Sequence, residues 1–418
     1  MKKVLLFFLG SFLLVSNSWG QTTDPKQQAA IDSVIRHMVI DSIDVTPEAI
    51  DTEGWLLLDE SIKNELSGAV NNLYNFKYER AERQFRSLRR RYPGHPMPYF
   101  LMGLSQWWKI VPTNILAKQY DHAFFAYMDT TIQYGEKMLL QKKNNYEAAF
   151  FLAAAHGFAA RLHSERKNWR KATLHSRYAL NFMNKAKEAN GLSPEFMFGE
   201  ALYNYYAVWI GQNYPLLRPV LLFFPDGNKP LGLNQLQQVA NNGFYTGVEA
   251  KFFLMKILAN EENNQMGAYP IARYLAYTYP DNAYFQRFYA RLTFVTGSLG
   301  ETERLSLDIL NKLNRKMPGY ETISGRYAAY FLGYIYQNRK DLVKAKNYYQ
   351  QTIAFAQQTD ESNSGYAIHA YLNLARISHQ EKDIKQAKVY YNQVKELADD
   401  DKAAEKEAKT YLRKYRKA

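Results

Sequence analysis

Residues 331–349, FLGYIYQNRKDLVKAKNYY, and residues 373–391, NLARISHQEKDIKQAKVYY, are two copies of one pattern. Leu332-Gly333, Tyr336, Ala345 and Tyr349 in the first recur as Leu374-Ala375, Ser378, Ala387 and Tyr391 in the second, each displaced by 42 residues. In both copies a small residue precedes an alanine by 12 positions, and a large aromatic follows that alanine by four. The spacing predicts a pair of helices. Gly333 or Ala375 lets a neighbouring helix approach the first, Ala345 or Ala387 does the same on the second, and Tyr349 or Tyr391 fills the wedge between them. Such a pair buries only part of its apolar surface alone, so roughly three or more must stack for stability.

The pattern resembles the tetratricopeptide repeat (TPR), whose consensus is about 34 residues long; the 42-residue displacement implies a longer linker or second helix. The resemblance implies an all-α, right-handed helical solenoid acting as a binding scaffold. In that family the first helix of each pair lines the concave surface, at positions six and three before the small residue and one, four and five after it. Carried onto Gly333, these positions are Tyr327, Tyr330, Tyr334, Gln337 and Asn338; onto Ala375 they are His369, Leu372, Arg376, His379 and Gln380. Steps of three and four keep each set on one helical face. The tyrosines combine contact area with a polar tip, which suits an extended peptide, and the fork of Arg376 suits a peptide carboxylate. The competing reading packs Tyr327 and Tyr330 against the preceding helix, 301–316.

Upstream, residues 59–74 read as a first helix, and Ala81, Phe85, Leu88 and Tyr92 form the apolar stripe of a second. Pro93 and Pro96 stop it, Pro98 opens the next helix, and Gly103 stands 34 residues after Ala69. Arg80, Arg83, Arg86, Arg89 and Arg90 lie opposite the stripe, where a solvated outer face competes with a track for an anionic ligand. Gly157 and Ala172, 15 apart, read as another small-residue pair around a turn at Asn168-Trp169. An aromatic helix follows over 198–212. Residues 213–231 then carry Pro215, Pro219, Pro225 and Pro230 around an apolar run, read as an irregular buried insert with one short helix. It is expected to divide a lobe at 57–212 from a lobe at 232–418, with a membrane-surface contact as its alternative.

The middle region carries a second likeness. Phe224-Pro225-Asp226-Gly227-Asn228, Gly232, Leu236, Tyr274-Leu275, Tyr279-Pro280-Asp281-Asn282, Phe285, Ala290-Arg291 and Gly297 resemble the TPR-39 and yeast inclusion-body-clearance family over residues 201–301. What that resemblance implies is architecture, with no catalytic residue.

At the N-terminus, Lys2-Lys3, the apolar run 4–15 and Ser18-Trp19-Gly20 read as a secretory signal peptide over 1–20, followed by a leader at 21–56. The run is shorter than the ~20 residues that span a bilayer, although an uncleaved anchor is the alternative. The expected location is the periplasm, with the cell surface or secretion as alternatives. Absence of cysteine excludes disulfides and thiolate chemistry. A net charge of +13 favours weak contact with an anionic envelope surface without specifying it. The chain lacks a Gly-x-Ser-x-Gly elbow and a phosphate loop, and Gly227 to Gly232 reads as a turn. None of the eight histidines lies within four residues of another, so no helical two-histidine metal pair exists.

These observations point to an exported, non-enzymatic scaffold that uses no cofactor or metal and binds a protein or peptide, not nucleic acid. Two other readings stay open. One is a helical domain with an unrecognised catalytic site; the other binds lipid or anionic polysaccharide through Arg83, Arg86 and the basic tail.

Overall fold

Both repeat copies are helix pairs in the computed structural model, which describes residues 50–215, 218, 224–359, 361–398 and 401–416. The signal peptide and the leader up to residue 49 lie outside the described residues. Seventeen α-helices and no strand occur among the described residues. In chain order they are α1 (Glu60–Tyr74), α2 (Tyr78–Arg91), α3 (Pro96–Ile110), α4 (Asp121–Gln141), α5 (Tyr146–Glu165) and α6 (Trp169–Ala186). Then come α7 (Met197–Asn213), α8 (Lys229–Asn242), α9 (Gly247–Lys256), α10 (Gln265–Thr278), α11 (Ala283–Val295) and α12 (Leu299–Asn314). The last are α13 (Thr322–Asn338), α14 (Leu342–Gln357), α15 (Gly365–Gln380), α16 (Ile384–Leu397) and α17 (Lys402–Lys414). They pack as consecutive pairs from α1/α2 to α15/α16, and α17 packs on α16.

Five pairs are built on one turn. Starting from the small residues Ala69, Ala160, Ala290, Gly333 and Ala375, the seventh residue on is Phe76, Lys167, Gly297, Lys340 or Lys382, always left-handed, with φ of 56°, 59°, 80°, 63° and 65°. The next N–H returns to the carbonyl three after the small residue: Lys77 to Asn72, Asn168 to His163, Ser298 to Thr293, Asp341 to Tyr336 and Asp383 to Ser378, at 2.8–3.0 Å. This six-to-one bond closes the first helix as a Schellman turn. It swings the second helix back so that Ala81, Ala172, Thr302, Ala345 or Ala387, twelve after the small residue, is buried. A Cβ on Gly333 would lie 2.7 Å from the ring of Tyr349, so the wedge read from the sequence is real.

The α5/α6 pair corrects one reading. A Cβ on Gly157 would meet nothing within 4 Å, whereas Ala160, 1% exposed, stands 12 before Ala172 and makes the close contact. Ala345→Phe or Ala387→Phe should cost ~1–3 kcal/mol by overpacking, while Lys385→Ala on the exposed face should leave the melting temperature unchanged. Thermal melts of the three variants check this.

Around the insert, Asn228 caps α8 by accepting from the N–H of Leu231, and Pro230 sits in the first turn, so the helix starts two residues earlier than its sequence suggests. Gly232 lies inside α8, not in a turn. Its Cβ would come within 2.6 Å of the Tyr205 nitrogen and 2.7 Å of the Ala201 carbonyl, so only glycine lets α8 cross α7 this closely. Residues 216, 217 and 219–223 of the insert lie outside the described residues. The helices on either side pack together as one pair.

Segments 57–212 and 232–418 also share a core. Tyr74 Oη and Trp108 Nε1 donate to Glu249 Oε1 at 3.1 and 2.6 Å, Asn282 donates to the Tyr74 carbonyl at 2.8 Å, and Arg287 donates to the Pro112 carbonyl at 2.8 Å. Trp108 packs edge-on against Phe252 and Phe285, both at 5.3 Å. First helices α1, α3, α9 and α11 thus meet across the array, which bends with its first helices inward. Buried carboxylates fasten the bend. Glu147 accepts from the Leu57 N–H at 2.5 Å and lies 3.0 Å from His95 Nε2. Glu195 accepts from the N–H groups of Phe244, Tyr245 and Thr246 and from the Thr246 hydroxyl.

Candidate functional site

The residue immediately after the small residue of a first helix is the buried Val70 on α1, and it sets one row along the inward side at Arg161 on α5, Arg291 on α11, Tyr334 on α13 and Arg376 on α15. The structure treats the sequence-predicted residues near this row in different ways. Tyr334 is 37% exposed, with its ring held edge-on at 5.0 Å from Phe294 of α11. Asn338, one turn on, is exposed. Tyr327 is half-buried, 4.7 Å from Tyr366 of α15, with the guanidinium groups of Arg287 and Arg326 5.5 and 5.7 Å from its ring.

Tyr330 does not belong to an open surface. It is 8% exposed and packs on Tyr366 at 4.8 Å, Tyr349 at 5.9 Å and Phe294 at 6.1 Å. Its aromatic neighbours therefore come from the flanking first helices and α14. Gln337 accepts from the Tyr349 hydroxyl at 2.6 Å and so serves the pair's own wedge. Leu372 is buried.

Gln380 is exposed, and the remaining candidates on α15 are already engaged, by α17 and its N-cap residue Asp401. Glu407 accepts from Nε and Nη2 of Arg376 at 2.8 and 2.6 Å, and that hydrogen bonding holds the Glu407 carboxyl below its ordinary range. His379 Nδ1 lies 3.0 Å from the Tyr411 hydroxyl, and His369 Nε2 lies 3.0 Å from Asp401. The expected use of Arg376 on a peptide carboxylate is corrected accordingly: its fork already holds a carboxylate of this chain. Trp107 and Trp108 are core residues, 4% and 0% exposed.

Sequence reasoning passed over the inward face of α11. The same five positions applied to Ala290 give Tyr284, Arg287, Arg291, Phe294 and Val295, so the signal was present. Arg291 lies with its guanidinium 4.5 Å from the Phe288 ring and donates only to the neutral Asn260, at 2.8 Å; no carboxylate lies within ion-pair distance of it among the described residues. Lys256 of α9 faces the same interior, 5.3 Å from the Phe252 ring; burial, and then the charge of Arg161, pull its pKa down to about 8. Arg161 pairs with Glu165 at 3.1 Å. The row is a cationic and aromatic strip in which Arg291 keeps its charge uncompensated.

The fold also brings together histidines that the sequence keeps apart. His156 Nδ1 of α5 lies 2.9 Å from His175 Nδ1 of α6, and the His163 ring is 5.4 Å from that of His175. Phe125 stacks on His163 at 4.2 Å. Burial, and then the neighbouring His175, lower the pKa of His156 to about 3 and of His163 to about 4; burial also lowers that of His175. Among the described residues no group of three or more His, Asp or Glu side chains is placed to hold a metal. The outer arginines Arg80, Arg83 and Arg90 face away from the apolar stripe of α2, and Arg86 pairs with Glu82.

Fold and face together define the class: an all-α array of TPR-type helix pairs, bent with its first helices inward. No family model matches the chain, and no curated protein matches it. Among solved structures it is similar to yeast Tom70, at 12% identity and a TM-score of 0.35, over 76% of this chain and 64% of that one. It is also similar to the TPR domain of P58(IPK), at 11% identity and a TM-score of 0.23, over 86% of this chain and 100% of that one. The chain thus spans a little under two thirds of the Tom70 chain. The likeness of the helix pairs to TPR pairs rests on the repeated spacing and the five repeated turns described above.

Proposed function

We propose that the protein is an exported, non-enzymatic scaffold that holds an extended protein or peptide segment along its inward row, centred on Arg291 and Tyr334. The observation that carries this reading is Arg291, a guanidinium held on an aromatic face with a neutral partner only. A partly exposed guanidinium with no carboxylate beside it leaves most of its donors free, and a bidentate acceptor such as a carboxylate matches its fork. Tyr334, in the equivalent position of the next pair, adds aromatic contact with a polar tip. Export to the periplasm rests on the residues of segment 1–20.

The test is capture of a crosslinked partner by the full chain. Arg291→Ala with Tyr334→Ala should abolish capture while leaving the helical circular dichroism and melting temperature intact, since neither side chain is in the core. Undiminished capture by the folded double variant overturns the assignment of this row. Turnover of a cell-wall polymer by the purified chain would overturn the non-enzymatic reading.

A further inference from the structure

Inward positions of the first two pairs wall a cavity. The five positions applied to Ala69 and Gly103 include Val70, Leu73, Met97 and Phe100, and these line a space between α1, α3, α5 and α9 that is apolar apart from Tyr74, Tyr245, Thr246 and Glu249. Its volume is about 40 Å³. Since ~10–15 Å³ holds one water, it takes a narrow group of a few heavy atoms. Half-buried Ala154 and Phe158 of α5 leave it partly open on the inward side. Glu249 is 3% exposed, and only one of its oxygens is used: Oε1 accepts from Tyr74 and Trp108, while Oε2 is buried with no hydrogen-bond partner, as is the Tyr245 hydroxyl. No Lys, Arg or His pairs with Glu249 among the described residues. A buried carboxylate without a counter-charge is costly, and burial pushes its pKa up to about 7, so a proton is what the chain alone supplies to it.

We propose that this cavity is a lysine pocket: the aliphatic stem of a lysine from the segment held on the inward side lies along Val70, Met97 and Phe100, and its ammonium donates to Glu249 Oε2. The inference rests on the reading of the inward side as a segment-binding face. Lysine fits and arginine does not. With Oε1 taken by Tyr74 and Trp108, a single carboxylate oxygen is free, which suits a compact ammonium on a flexible stem; a guanidinium fork needs two acceptors side by side. A lysine also divides as the cavity does, with an apolar stem and a charged tip. The ammonium takes the place of the proton on Glu249, so binding below pH 7 releases that proton to the buffer. Tyr74 and Tyr245, the titratable groups beside it, are pushed up by burial and keep their own protons across this range.

The probe is n-butylammonium, a lysine side chain without its backbone, titrated calorimetrically into the full chain at about pH 6.5 in two buffers of different ionisation enthalpy. Wild type should bind it with release of a proton. Glu249→Gln, which keeps an oxygen for Tyr74 and Trp108, should bind it at least about tenfold less tightly and release none. n-Propylguanidinium and the uncharged 1-butanol should each bind wild type at least about tenfold less tightly than n-butylammonium does. Equal binding of the alcohol and the amine, equal binding by wild type and variant, or no binding of the amine overturns the inference and leaves an apolar void. A capped pentapeptide with a central lysine should compete with n-butylammonium, and its arginine counterpart should not; binding of the free amine without competition by the lysine peptide overturns the lysine assignment. Should Glu249→Gln fail to fold, proton release by wild type decides, and binding without release overturns the inference. The n-butylammonium titration does not involve Arg291 or Tyr334, so its failure is distinguishable from failure of the segment-binding reading.

Discussion

Glu195→Ala should cost about 3–5 kcal/mol, although no apolar contact is removed. Glu195 is 1% exposed, and its two oxygens receive three backbone N–H groups and a hydroxyl from the turn that leads into α9. Removing the carboxylate leaves these donors buried without acceptors, and each orphaned donor costs about 1–3 kcal/mol. Because residue 195 lies some fifty positions before the turn it holds, the loss should appear as a cooperative drop in urea midpoint. Glu65→Ala, which breaks only the exposed pair with Arg91, should stay within ~1 kcal/mol. Equal effects at the two sites would show that the bend is not fastened by Glu195.

Acidification should pull on the fold in two directions that single substitutions separate. His156 has a folded pKa of about 3, below the 6.5 of a free imidazole, so the folded chain binds fewer protons than the unfolded one. Its contribution is intact above pH 6.5 and is lost as the pH falls toward 3, by about 2 kcal/mol at pH 5. His163 acts in the same sense. Glu249 acts in the opposite sense: burial pushes its pKa up to about 7 from 4.5. The folded state therefore gains stability as pH falls through that window, by about 2 kcal/mol between pH 6.5 and 5. Burial raises Glu321 to about 7 as well. The wild-type stability curve should be shallow across this range, Glu249→Gln should make it fall steeply toward acid, and His156→Gln should tilt it the other way. Urea unfolding at pH 7.5, 6.5, 5.5 and 5 measures all three; identical slopes would contradict the opposed titrations.

The pair architecture was legible because its determinants are local. A small residue, an alanine 12 later and an aromatic four beyond that lie within one helix pair, and Gly333 with Tyr349 makes the contact the pattern implies. The left-handed residue of the turn was not legible, because four of its five positions hold Phe76, Lys167, Lys340 and Lys382 and only Gly297 is a glycine. In α5 the small residue at the repeat distance is likewise an alanine, Ala160, and not Gly157. The closure of the array depends on Glu195, Glu249 and Asn282, whose partners lie 50 to 208 residues away, and periodicity carries no information at that range. The ion-pair partner of Arg376 is 31 residues on, beyond the reach of helical periodicity. The aromatic supply of α13 was visible, yet burial sorts Tyr330 into the core and leaves Tyr334 outside, and burial depends on the neighbouring pairs.

On the proposed function, the inward row and not the outer surface receives a protein segment. The most direct measurement places a photo-crosslinking amino acid, one position at a time, at Arg291, Tyr334 and Asn338 on the inward side and at Lys385 and Arg83 on the outer side, in full chains expressed in their own cells. The account predicts a single crosslinked species from the three inward positions, absent from the two outer ones and competed by the isolated segment that mass spectrometry identifies in it. Crosslinks that form equally from Lys385 and Arg83, or only from them, would contradict it.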